Sequence, residues 1–333
     1  MRVGAALTLA FAMLATAPGD DIDPAVRAVL SQQWKFSADD LNDLEHGKIV
    51  KHSVDTSAAG EMAVCGAVRV QTSKQRFLDL VRDIATFKRG PDVVEIGRFS
   101  NPPTLQDLAP LTIDKNDLNA RSCKLRDCDV RLPANVIERL PHEPDPAAYF
   151  KQVLLDNVLA YERGDAQGRI LQYDDGDRPI RPADEFEGLL QNTPALAALV
   201  PSLPDHFRKY PADTIAGDDD FLYWSKEKFG IEPFITVTHV TIVCPSTRTC
   251  VMATRDVYSS RYIDASLSIS VASDASNPAD GFYLIFANRS RASALKGGFA
   301  GLRRSLAGRR ARGSLEENLK QVKARLESGL ASR

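Results

Sequence analysis

His239 stands in the run ITVTHVTIV, where strict alternation places it on one face with Ile235, Val237 and Val243. An imidazole there serves as a cavity acid or base, or orients a ligand, or is held by a neighbouring strand. The segment YWSKEKFG brings Trp224 beside charged residues, either as a pocket wall or as core next to a turn. SSRYIDASLS carries Arg261, Tyr262 and Asp264, with Asp256 and Tyr258 just before it. GFYLIFANRSR ends in Asn288, Arg289 and Arg291. Arginines among apolar strands need partners, because an unpaired buried charge is costly. The available partners are the nearby aspartates, or an anionic or carbonyl group of a ligand. The expected ligand-binding set is therefore Trp224, His239, Tyr258, Arg261, Tyr262, Asn288, Arg289 and Arg291. If the chain catalyses a reaction, His239, Tyr258, Tyr262 and Asp264 are the acid/base candidates.

Between Arg289 and Arg312 the chain holds eight basic residues and no acidic one. Phe299, Leu302, Arg303, Arg304, Arg309 and Arg310 fall in this stretch among glycines. They suit docking on an anionic bilayer, or a solvated basic turn. DDGD (174–177) and DDD (218–220) lack the spacing of a calcium loop and read as turns and caps. No phosphate-binding, dinucleotide, zinc-protease or nucleophile-elbow motif occurs, so neither metal nor cofactor is expected.

The five cysteines form two local pairs, Cys123 with Cys128 and Cys244 with Cys250, leaving Cys65 in an apolar strand. No histidine lies near either pair, which favours disulfides over zinc. Disulfides belong to an oxidising compartment. Residues 1–17 agree: Arg2 precedes an apolar run that ends in Ala15-Thr16-Ala17, the pattern of an export signal. The run is too short for a permanent membrane span. A periplasmic or secreted location follows as the expectation.

The elements that would position these groups can be outlined. Residues 24–46 read as helix with Ser37 opening a capping box, and 47–72 as a hairpin. Ser73 caps a further helix that ends at Gly90-Pro91. Residues 91–146 are Pro-rich and irregular, 147–163 are an amphipathic helix, Arg169–Tyr173 is a short strand, and 182–210 hold two short helices. From 221 onward β-rich segments follow at hairpin spacing; Ala265, Leu267, Ile269 and Val271 alternate with serines as in a half-buried strand. Ser314 caps a last amphipathic helix over 314–328. With 333 residues, 44% apolar and 26% charged, the chain has the composition of a globular protein with a large core. A net charge of −2 and a pI of about 6.2 give no footprint for nucleic acid.

The strand and helix in MAVCGAVRVQTSKQRFLDLVRDIATFKR, the closing strand GFYLIFANRS and the final helix SLEENLKQVKARLES together resemble the START-like (SRPBCC, helix-grip) superfamily over 62–88 and 221–328. The resemblance implies an α+β fold in which a curved antiparallel sheet wraps a long C-terminal helix. It also implies one domain over 24–333 with a helical insert at about 91–220. It further implies a hydrophobic ligand (lipid, sterol or polyketide-like) in a cavity between sheet and helix, carried at or between membranes. The other readings are a cyclase- or hydrolase-like enzyme on the same scaffold, and an envelope interaction or structural protein without ligand.

Overall fold

The computed structural model describes residues 21–56, 58–174, 176, 179–228, 232–296 and 300–328, the side chains of 300–306 excepted. The expected leader over 1–17 and Phe299 lie outside these residues, as do the side chains of Leu302, Arg303 and Arg304.

The N-terminal segment forms two helices, α1 (Pro24–Gln33) and α2 (Ala38–Glu45). They are separate because Ser37 turns extended to cap α2 with the expected capping box, Asp40 answering as its partner. The hairpin is present as β1 (Val50–Ser53) and β2 (Glu61–Val70). The next helix breaks at Asp83 into α3 (Lys74–Arg82) and α4 (Ile84–Lys88). A strand then follows where irregular chain is expected, β3 (Val93–Arg98). Its VVEIGR is short and charged, as edge strands often are.

Between β3 and the rest of the sheet lie α5 (Ala134–Arg139), α6 (Pro146–Arg163), α7 (Pro182–Gln191), α8 (Pro194–Leu199) and α9 (Leu203–Lys209). Three helices therefore occupy 182–210 rather than two, since Pro194 and Pro204 each sit in a first turn instead of ending a helix. The Arg169–Tyr173 strand reduces to one isolated bridge, Tyr173 to Ile180. The β-rich region supplies β4 (Asp219–Glu227), β5 (Phe234–Val243), β6 (Thr249–Ser259), β7 (Ala265–Asp274) and β8 (Phe282–Arg291). Last comes α10 (Ala300–Ser328), which already runs through Ser314, so Ser314 is interior and not a cap.

The strands make one open, curved antiparallel sheet in the order β1-β2-β8-β7-β6-β5-β4-β3. The fold is α+β, with helices on both faces. On one face α3 and α10 bury Phe77, Val81, Leu315, Leu319 and Leu326 against Val64, Val68, Phe282 and Leu284. Each such side chain contributes about 1.5–3 kcal/mol by leaving water. Gly66 allows this closeness: a Cβ there would stand 3.0 Å from Leu319 and 3.1 Å from Leu315. On the opposite face α1, α2, α7, α8 and α9 pack on Leu267, Ile269, Ile285 and their neighbours. There too α5 and α6 pack on Leu222, Trp224, Ile235 and Val237. Every residue of β5 is buried, as a strand covered on both sides must be. Both expected disulfides are formed, and Cys65 is free and buried.

Candidate functional site

The opposite face carries a buried polar cluster where α6 and α9 meet β4 and β5. The register sets Leu222 opposite His239 and Asp220 opposite Thr241, so Asp220, His239 and Thr241 project to the same side. α6 begins at the Asp145 cap with Pro146 in its first turn, and stops at left-handed Gly164. Its last turn delivers Tyr161. α9 and its C-cap deliver His206 and Tyr210, one turn apart.

His239 Nε2 lies 2.9 Å from Asp220 Oδ1, and its Nδ1 lies 2.9 Å from Tyr161 Oη. His206 Nε2 is 3.3 Å from Asp220 Oδ2, while His206 Nδ1 is 2.7 Å from the Asp213 carbonyl. Thr241 donates to Asp220 Oδ1 at 2.5 Å. The Tyr210 ring sits 4.3 Å from the His239 ring and stacks on Tyr161. Both histidine side chains are fully buried, and Asp220 is 17% exposed. Burial opposes the charge on Asp220, but hydrogen bonds from His206, His239 and Thr241 hold its carboxyl well below the usual range. Burial likewise opposes charge on His206, yet Asp220 holds its pKa above the ordinary value. His239 is pushed down by burial. Two imidazoles and a carboxylate whose donor atoms all lie within 4.8 Å of one another are a donor set suited to a divalent metal.

The α10 face carries a different constellation. Tyr223, Thr238 and Asp256 are direct cross-strand neighbours on β4, β5 and β6. Thr254, Ser268 and Asn288 continue across β6, β7 and β8. Thr238 donates to Asp256 at 3.0 Å, Ser225 to Glu227 at 2.7 Å, and Asn288 to Ser266 and Ser268 at 3.0 and 2.9 Å. Lys88, from the end of α4, reaches Glu227 at 2.9 Å. Burial pushes the Asp256 carboxyl up to about 7, with Glu227 adding to the rise and Thr238 and Lys88 opposing it. Burial works against the Lys88 charge, but Tyr223 and Glu227 beside it hold its pKa above the ordinary lysine value. The result is a band of hydroxyls, a carboxamide, two carboxyls and one ammonium across half the sheet.

The residues singled out in the sequence do not converge. Asn288 alone faces the α10 side. Trp224 lies over Gly97, where a Cβ would meet the indole at 2.6 Å, and donates to the Asp107 carbonyl. Tyr258 donates to the Arg131 carbonyl at 3.1 Å, and Asp264 receives Arg131 at 2.7 Å. Arg261 donates to the carbonyls of Asp129 and Pro233. With Tyr262, an exposed residue at φ +63°, it borders a polar surface hollow of about 550 Å³. Arg289 and Arg291 both pair with the fully buried Glu61. Of the acid/base candidates, His239 sits with Tyr161 and Asp220, while Tyr258 and Asp264 meet Arg131. Arg309 and Arg310 are exposed on α10.

Sequence reasoning overlooked His206, Tyr161, Asp220 and Thr241, and with them Lys88 and Glu227. Asp220 reads as part of an acidic turn, yet it is the second residue of β4. Its alternation with Leu222 and Trp224 is the signal that places it on the His239 side.

Compared with protein-family models and with curated proteins, the chain finds no match in either. The two disulfides fit an oxidising compartment. Among the described residues no helix is long and apolar enough to cross a membrane.

Proposed function

We propose that the chain is an exported helix-grip protein that takes an amphiphilic small molecule on the α10 side of its sheet. The observation that carries this reading is the polar band. Tyr223, Thr238, Asp256 and Asn288 lie on the same face as apolar Val240, Met252, Phe286 and Leu284. Of these, Asp256, Phe286 and Asn288 keep accessible surface, so this part of the face offers burial to an apolar body at roughly 25 cal/mol per Å² and fixed partners to its oxygen or nitrogen functions. The course of α10 along β1 and β2 of a curved sheet, and the two disulfides, support the helix-grip and export parts of the reading.

The test is extraction of the mature protein, purified from an oxidising compartment, into organic solvent, followed by mass spectrometry. The expected result is an apolar molecule bearing hydroxyl or carbonyl groups, near one per chain, and depleted in Asp256→Asn and Lys88→Met proteins. An empty extract, with no thermal shift across a panel of fatty acids, sterols and aromatic polyketides, overturns the reading. Catalysis on the bound molecule is a second reading, favoured by one observation: a carboxyl titrating near neutrality both gives and takes protons there. Retained binding with lost turnover in Asp256→Asn separates catalysis from carriage.

A further inference from the structure

We propose that His206, His239 and Asp220 form a binding site for a divalent zinc-type ion, on the opposite face of the sheet from the ligand band and independent of it. The Asp213 carbonyl 2.7 Å from His206 Nδ1 only accepts, so Nδ1 carries a hydrogen. In the neutral ring Nε2 then presents a lone pair, and it points at Asp220 Oδ2, 3.3 Å away, which also only accepts. The charged imidazole fills that contact with a proton donated to Asp220, and the neutral imidazole offers the same Nε2 to a metal that takes the proton's place.

Thr241 Oγ1 donates to Asp220 Oδ1 at 2.5 Å and stands 3.2 Å from His206 Nε2 and 3.5 Å from His239 Nε2, so its hydroxyl joins the three ligand atoms into one polar cluster. His239 Nδ1 meets the Tyr161 hydroxyl; when Nδ1–H donates to that oxygen, Nε2 presents its lone pair toward the cluster and can serve as a ligand. Zinc bonds of about 2.0–2.1 Å in a tetrahedron set ligand atoms roughly 3.3 Å apart. The His206–Asp220 distance of 3.3 Å, to Oδ2, fits this spacing; His239 lies 2.9 Å from the other oxygen, Oδ1, so the carboxylate either binds through both oxygens or turns to present one to the ion. Metal-bound histidines commonly present the other ring nitrogen to a carbonyl or hydroxyl partner. Asp213 and Tyr161 supply those partners here. Two arginines stand near the cluster, both over the Tyr161 ring: Arg255 donates to the Phe207 carbonyl, and Arg169 donates to the carbonyls of Tyr161 and Tyr210. The partly exposed edge of Asp220 is the way in. Because the donors come from α9, β4 and β5, an ion here ties the helical segment to the sheet.

The test is titration of chelator-treated, full-length mature protein with cobalt(II), followed by displacement with zinc. The expected result is one equivalent of cobalt with visible bands of tetrahedral intensity, bleached by one equivalent of zinc. His206→Gln and His239→Gln lose at least 100-fold in affinity, and Tyr161→Phe, which touches no metal, loses about 10–100-fold. His142→Gln, at an exposed histidine outside the cluster, binds as wild type. Absence of stoichiometric cobalt bands in the wild type overturns the proposal, whether or not the variants fold. Uptake unaffected by His206→Gln in a variant with wild-type circular dichroism overturns it equally, since the ion then sits elsewhere.

Discussion

Replacing Asp256 with Asn removes a carboxyl whose ionisation the folded chain resists. In the unfolded chain the group titrates at its ordinary 3.8, and in the native fold near 7. Between those values the folded state holds the proton and the unfolded state does not. Stability therefore falls as pH rises from about 4 to about 7, and stays reduced above that. Three pH units correspond to about 4 kcal/mol at 1.36 kcal/mol each. Asp256 is half-buried, and partial exposure reduces the expected difference to about 2 kcal/mol. Asn keeps the shape and still accepts from Thr238 through its Oδ1. The groups facing Asp256 (Thr238, Lys88 and Glu227) stay in place. Urea denaturation from pH 4 to pH 8 measures the effect. The Asp256→Asn protein should match wild type near pH 4 and exceed it by about 2 kcal/mol at pH 8. A wild-type-minus-variant difference that is flat with pH, or that favours wild type at pH 8, refutes the reasoning.

Two further perturbations probe the frame. Glu61→Gln withdraws the buried carboxylate shared by Arg289 and Arg291, and is expected to cost about 3–5 kcal/mol in denaturant unfolding; a loss under 1 kcal/mol contradicts the pairing. Gly66→Val thrusts a branched side chain toward Leu315, Leu319 and the Val50 carbonyl, all within 3.1 Å of the new Cβ. A loss of about 1–3 kcal/mol is expected, and no loss means that α10 does not lie tightly on β2.

How far the sequence reveals this molecule depends on the range of the interactions involved. The cysteine pairs are five and six residues apart, and the Ser37 capping box spans three, so local spacing exposes them. The alternation in β7 separates Leu267 and Ile269 from Ser266 and Ser268 correctly, but it does not say that the serine side is the α10 side. Both faces are covered, and Ser270 is as buried as its apolar neighbours. The start of α10 is obscured because Gly301, Gly308 and Gly313 lower helix propensity, while packing of Leu315, Leu319 and Leu326 stabilises the helix as a whole. His206 sits in a short proline-led helix and finds Asp220 only through the fold. No local pattern links them, and His239, legible as strand-borne, gives no hint of a second ligand.

The long excursion between β3 and β4 has a bearing on how the chain reaches its native state. β4 to β8 are joined by short connections and pair in sequence order, so their contacts close small loops. β3 finds β4 only across residues 99–218, and β2 finds β8 across an even longer span. The entropy of ring closure rises with the logarithm of the intervening length. The five-stranded meander is thus the natural first-formed platform, and both sheet margins assemble onto it late. Until they do, β8 and β4 present unsatisfied backbone edges. At high concentration, that interval is when the chain is most exposed to sticking to its own copies.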